Sequence, residues 1–119
     1  MSKVIKLSYA DNNGYVMCVT CGDIKHISNI DCGHFQKRGN MATRYDPMNL
    51  APQCITCNRF NRGEDKKFAY YIDLKYGFGT SDELRQKANS ILKHFDFESA
   101  IKEWSDKLDI LVKNKTIEL

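Results

Sequence analysis

At 119 residues, with 42% hydrophobic and 28% charged residues, the chain has the size and composition of one soluble globular domain. No apolar run approaches the ~18 residues of a membrane span, and the opening MSKVIKLSYADNNG lacks the apolar core of a signal peptide, so a cytoplasmic location is expected. The net charge of +3 is too small to name a partner, but between His34 and Gly63 five basic residues (Lys37, Arg38, Arg44, Arg59, Arg62) stand against one acidic residue, Asp46, a balance that suits a polyanion.

In chain order, YVMCVTCG alternates like a short strand entering a turn, and HISNIDCGHF reads as a second strand with His34 near its end. QKRGNMATRYDP follows as a long polar loop, of a length that is often functional. NLAPQCITCNRFNRG then places Asn58 directly after a cysteine, at the expected start of a helix, with Arg62 four residues on and so on the same helix face. Phe68, Tyr71, Ile72 and Tyr76 recur at helical spacing and predict a helix over 64–76, ended by Gly77. TSDE at 80–83 is a capping-box pattern ahead of Leu84, Ala88, Ile91, Leu92 and Phe95. Asp96 can cap a third helix carrying Phe97, Ala100, Ile101, Trp104, Leu108 and Leu111. These stripes describe core packing rather than chemistry. His26 and His94 belong to no pattern and receive no role.

The cysteines carry more. Cys18/Cys21 and Cys54/Cys57 are two C-x2-C pairs, and in a chain read as cytosolic such pairs favour metal over disulfide, since each pair can grip zinc from one tight turn. A redox role would instead ask for a single C-x-x-C beside a βαβ pattern, which is missing. Four thiolates close the coordination sphere, so this zinc is expected to be structural and any chemistry to lie beside it. Cys32, the fifth, reads as a small buried hydrophobe. The remaining candidates are Asp31, His34, Asn49 and Asn58.

The run GYVMCVTCG, then DCGHF, then ATRYDPMNLAPQCITCNRFNRG, then IDLKYG resembles the NinG/Rap recombination proteins of lambdoid bacteriophages, and the similarity extends to about Leu111. The core is also similar to the HNH, or ββα-metal, nucleases, in particular the phage endonuclease VII resolvases. The resemblance implies an α+β fold: a zinc-stabilised ββα-metal core over 14–76 and a C-terminal helical extension over 80–114, within one domain spanning 1–119. It implies a phage-encoded DNA endonuclease that cuts Holliday junctions and D-loops in the bacterial host cell. Asp31 and Asn58 would bind a catalytic divalent cation, magnesium or manganese, His34 would be the general base, and Asn49 would tie down the long loop through backbone hydrogen bonds. The sequence departs from the commoner HNH form in placing Cys32 and Gly33 between Asp31 and His34, and in ending on Asn58 rather than histidine.

The chemistry is coherent on its own terms. An imidazole with an ordinary pKa near 6.5 can take a proton from water near neutral pH, and a hard cation on one carboxylate and one amide oxygen can offset charge developing on a phosphate. Lys37, Arg38, Arg44, Arg59 and Arg62 are expected to contact phosphates rather than read bases. Symmetric cutting of a four-way junction needs two active sites, so a homodimer through the helices after Leu84 is a further expectation. The alternative is a zinc-containing DNA-binding module without catalysis; a redox or zinc-storage protein is a third class, which predicts no salt-sensitive DNA binding.

Overall fold

Two short antiparallel hairpins and the helices around them form a mixed α+β fold in the computed structural model, which describes residues 1–89 and 97–114. The first hairpin pairs β1 (Tyr15–Met17) with β2 (Ile24–His26), and the second pairs β3 (Ile30–His34) with β4 (Leu50–Cys54). Helix α1 (Ser2–Tyr9) precedes them, and a single helical turn, α2 (Met41–Arg44), lies inside the long polar loop. α3 (Asp65–Tyr76), α4 (Thr80–Ala88) and α5 (Phe97–Asn114) follow. Among the described residues, no helix is long and apolar enough to cross a membrane.

The second hairpin is covered on both faces, which is why every residue of β4 is buried. On one face Phe35 and Ala51 pack with Phe68, Ile72 and Leu84 of α3 and α4. On the other, Leu50 packs with Val4 and Ile5 of α1 and Trp104 of α5, and Cys32 lies against this group. Cys32 is thus the packed apolar residue the sequence suggests, and burial pushes its thiol up to about 11. A strand hidden on both faces shows no polar alternation; LAPQC therefore gives no strand signal in the sequence. α1 was equally illegible, being too short for its Val4, Ile5 and Leu7 to establish a period against the surrounding lysines.

Gly33 is required by packing. A Cβ there would lie 2.0 Å from Gln53 Oε1, because the buried Gln53 side chain crosses the strand at that point. Gln53 Nε2 donates to the Gly63 carbonyl at 2.7 Å and to Thr20 Oγ1 at 3.3 Å, linking two loops to β4 through one amide.

Three expectations need correction. The HISNIDCGHF strand is interrupted by a 3-10 turn at Ile27–Asn29, which separates β2 from β3. Residues Thr56–Phe60 form one π-helical turn, and Arg62, Gly63 and Glu64 then take positive φ (54°, 80° and 51°), so the helix breaks and Asn58 and Arg62 do not share a face. The TSDE segment does not form a capping box: Gly79 is the N-cap, and the Asp73 carboxylate instead accepts from Ser81 N at 2.8 Å and Ser81 Oγ at 2.9 Å. Ile91, Leu92, His94, Phe95 and the Asp96 cap lie outside the described residues.

Candidate functional site

The two C-x2-C pairs converge. Cys18 and Cys21 sit on the turn between β1 and β2, where Gly22 N donates to Cys18 O at 2.9 Å; Gly22 has a φ of 84°, which glycine adopts without strain. Cys54 ends β4 and Cys57 lies in the π-helical turn, with its backbone N–H donating to Cys54 Sγ at 3.5 Å. All four Sγ atoms lie within 4.8 Å of one another, and Cys21 and Cys54 approach to 3.6 Å. A tetrahedral zinc with bonds of about 2.3 Å needs sulfurs about 3.8 Å apart, so a contraction of under about 1 Å completes the sphere. Burial acts to raise Cys18, but hydrogen bonds from Thr20 and nearby backbone outweigh it and bring it to about 6. At Cys21 a backbone bond at Asp23 favours the thiolate, yet burial and the three neighbouring sulfurs win and push it up to about 12. Thiolates this close repel, and a divalent ion removes that cost. The four clustered cysteines could hold a metal ion, and their geometry is consistent with structural zinc.

Beside it, Asp31 and Asn58 meet across 27 residues of sequence. Asn58 Nδ2 donates to Asp31 Oδ2 at 3.0 Å. Arg59 adds a two-pronged ion pair, Nε to Oδ2 at 2.9 Å and Nη2 to Oδ1 at 3.1 Å. The zinc-side turn is what delivers both: Cys57 is fixed by its sulfur, and the next two side chains project onto β3. Arg59, expected among the phosphate-contacting residues, is here engaged by a carboxylate instead. That contact had no sequence signal, since nothing in the spacing ties residue 59 to residue 31.

His34 stands apart from this pair. Strand alternation puts Asp31, Gly33 and Gln53 on one face and Cys32, His34 and Leu50 on the other, and three residues along a strand cover about 10 Å. No hydrogen bond joins His34 to Asp31 or Asn58. The His34 Nε2 atom is buried without a hydrogen-bond partner, as is Arg44 Nε. Burial holds the imidazole below its ordinary pKa, with the charges of Arg38 and Arg44 acting in the same direction. The ring is therefore neutral at physiological pH and carries one free nitrogen in a positive field.

Asn49 fixes the loop that follows His34. Its fully buried side chain accepts from Gln36 N at 2.6 Å and donates from Nδ2 to Gln36 O at 3.1 Å, while Phe35 N donates to Asn49 O at 2.9 Å. Asn49→Ala leaves the two Gln36 backbone groups unpaired in a partly buried place, at about 1–3 kcal/mol each. The expected result is a loss of roughly 2–4 kcal/mol in urea unfolding, with a change under 1 kcal/mol contradicting the assignment. Of the other basic residues, Lys37, Arg38 and Arg62 are exposed and Arg44 is partly buried with its guanidinium over the Tyr45 ring.

A family model described as Bacteriophage Lambda NinG protein matches residues 3–114. No curated protein and no solved structure matches the chain. The match takes in both hairpins, the four cysteines, the Asp31–Asn58 contact and all the described helices but for the first residue of α1. The chain belongs to the bacteriophage lambda NinG protein family.

Proposed function

We propose that this protein is a metal-dependent DNA endonuclease of phage recombination, hydrolysing phosphodiester bonds in branched intermediates such as Holliday junctions and D-loops. In this reading β3, β4 and the turn carrying Asn58 are a ββα-metal (HNH-like) core stapled by zinc. The observation that carries it is the unpaired, buried Nε2 of His34 in the field of Arg38 and Arg44. A buried polar atom without a partner is costly, and a basic nitrogen held neutral among cations is suited to receive a proton beside a bound phosphate.

Lys37, Arg38 and Arg44 would hold the phosphate, and Asn49 would keep their loop in register with His34. Nε2 takes a proton from the attacking water as its oxygen bonds to phosphorus and the bond to the leaving oxygen breaks. Asp31 and Asn58 would hold the divalent cation: a carboxylate and an amide oxygen are the hard donors magnesium prefers. Asn58 presents Nδ2 to the carboxylate and Arg59 covers it, so these donors fit a cation once the amide turns over and the guanidinium withdraws. When bound, the cation offsets negative charge developing on the phosphate and leaving oxygen.

The pH dependence follows from the direction of the His34 shift. A lowered pKa keeps the base neutral as pH falls, and the rate is lost only on protonation. The acid limb of kcat/KM, which reports the free protein, is expected to have its midpoint below about 6.5. A midpoint above 7 would exclude His34 in its present environment as the base.

Two observations favour the alternative, a zinc-containing DNA-binding module without catalysis. His34 and Asp31 lie on opposite faces of β3, and Arg59 already neutralises the carboxylate. In that reading the Asp31–Asn58–Arg59 contact is a strut holding the zinc-side turn on the strand. A homodimer remains part of the endonuclease proposal, since two strands of a junction need two sites.

A further inference from the structure

A groove of about 410 Å³ runs between the zinc-knuckle loop and α3, on residues that the nuclease chemistry does not use. Val19 and Thr20 of the knuckle form one wall, and Lys66, Lys67, Tyr70, Tyr71 and Leu74 of α3 form the other. Its aromatic residues differ in freedom. Tyr71 is partly buried against Phe68, and its hydroxyl is tied to that of Tyr9 at 2.5 Å, so its ring is a fixed surface. Tyr70 is 68% exposed and Leu74 69% exposed, and neither packs in a core cluster.

Among the described residues that line the groove, the two charged ones, Lys66 and Lys67, are both basic. Lys66 has no ion pair among the described residues, and Lys67 has only a long contact with Glu64 at 3.9 Å. An exposed ring over an apolar floor with two ammonium groups at its edge matches a flat π-system joined to anionic groups. That is the chemistry by which proteins hold unpaired nucleotides: bases stack on aromatic side chains while cations follow the backbone. An acidic peptide would satisfy the lysines but give the exposed ring no flat partner.

We propose that this groove binds an unpaired nucleotide of a branched DNA, with its base stacked on Tyr70 and its phosphate on Lys66 and Lys67. The proposal rests on the DNA-binding part of the function proposed above and is independent of catalysis. It gives the protein a means of preferring a D-loop, whose displaced strand is unpaired, over continuous duplex.

The test uses the zinc-loaded 119-residue protein in buffer without magnesium or manganese, so that no strand is cut, with a D-loop and a single-stranded oligonucleotide each carrying one 2-aminopurine at an unpaired position. The wild type is expected to change the 2-aminopurine emission on binding. Tyr70→Phe should keep the change, whereas Tyr70→Ala should lose it and weaken single-strand affinity by roughly 5- to 150-fold, the range of one stacked base. Lys66→Ala with Lys67→Ala should lower the salt slope by about 1.4, at about 0.7 per single-strand phosphate contact. Helicity and zinc content confirm that each variant is folded. Wild-type affinity and emission in folded Tyr70→Ala would overturn the proposal, as would displacement of the oligonucleotide by polyglutamate at equal charge concentration. Duplex binding with no 2-aminopurine response overturns this proposal alone; no salt-sensitive binding to any DNA overturns the DNA reading with it.

Discussion

Replacing His34 with alanine is expected to reduce junction cleavage by about 10²- to 10⁴-fold, the usual contribution of a positioned general base. Junction affinity at fixed salt should change by no more than about threefold, because point contacts to phosphates come from several other side chains. The asymmetry is the informative part. His34 makes no hydrogen bond through Nε2, so truncating it strands no partner on that side and removes one costly unpaired atom. Folding should therefore survive, and the zinc cluster is built from other elements. A parallel fall in cleavage and binding would indicate that His34 merely supports the loop, and would favour the non-catalytic reading. Unchanged cleavage would remove His34 from the chemistry altogether.

The second large effect concerns the zinc site. Cys54→Ser is expected to abolish stoichiometric zinc and to unfold the knuckle with the first hairpin. A two-stranded hairpin is marginal by itself, and β1–β2 reaches the rest of the molecule largely through Val16 and the cysteine cluster. Structural zinc contributes roughly 10–16 kcal/mol of apparent binding free energy in small zinc modules. That is comparable to the whole stability of a domain, about 5–15 kcal/mol. Zinc content by metal analysis and helicity by circular dichroism read the outcome together. Full zinc and full helicity in the variant would contradict a four-cysteine site. The loss should spread to Asn58 and Arg59, which follow Cys57 and meet Asp31 only while that turn is held.

Much of the site was readable from local pattern, and the rest was not for identifiable reasons. The cysteine pairs announce themselves because two thiols three residues apart have few other uses in such a chain. Helix α3 was legible because Phe68 and Ile72 bury one face while Tyr70 and Leu74 leave the other exposed. The opposite situation hid β4: buried on both sides, with Pro52 and Gln53 in its middle, it has no period to read. The capping box misled because a partner eight residues away outcompeted a local one, the Asp73 carboxylate taking both the amide and the hydroxyl of Ser81. The break after Phe60 misled for a backbone reason. Arg62 and Glu64 are not residues that advertise positive φ; the turn is held by Gly63 N donating to Cys57 O at 2.8 Å and by Gln53.

The most consequential relation, between Asp31, Asn58 and Arg59, is a tertiary fact that spacing does not contain. Sequence reasoning placed Asp31 and Asn58 in one site and Arg59 among the phosphate contacts. The structure does bring the first two together, and it adds Arg59 to them as a third member. It leaves His34 on the other face of the strand, among Arg38 and Arg44. A phosphodiester backbone contacting both groups would have to span the edge of the hairpin.

Cleavage of a synthetic four-way junction by zinc-loaded wild-type protein, run beside a matched linear duplex with magnesium, with manganese and with neither cation added, tests the endonuclease proposal most directly. Strand cutting is expected in the junction with either cation and not without one, with the duplex cut weakly or not at all. Intact junction under all three conditions, from protein that holds zinc and binds the junction, would contradict it and leave a DNA-binding module.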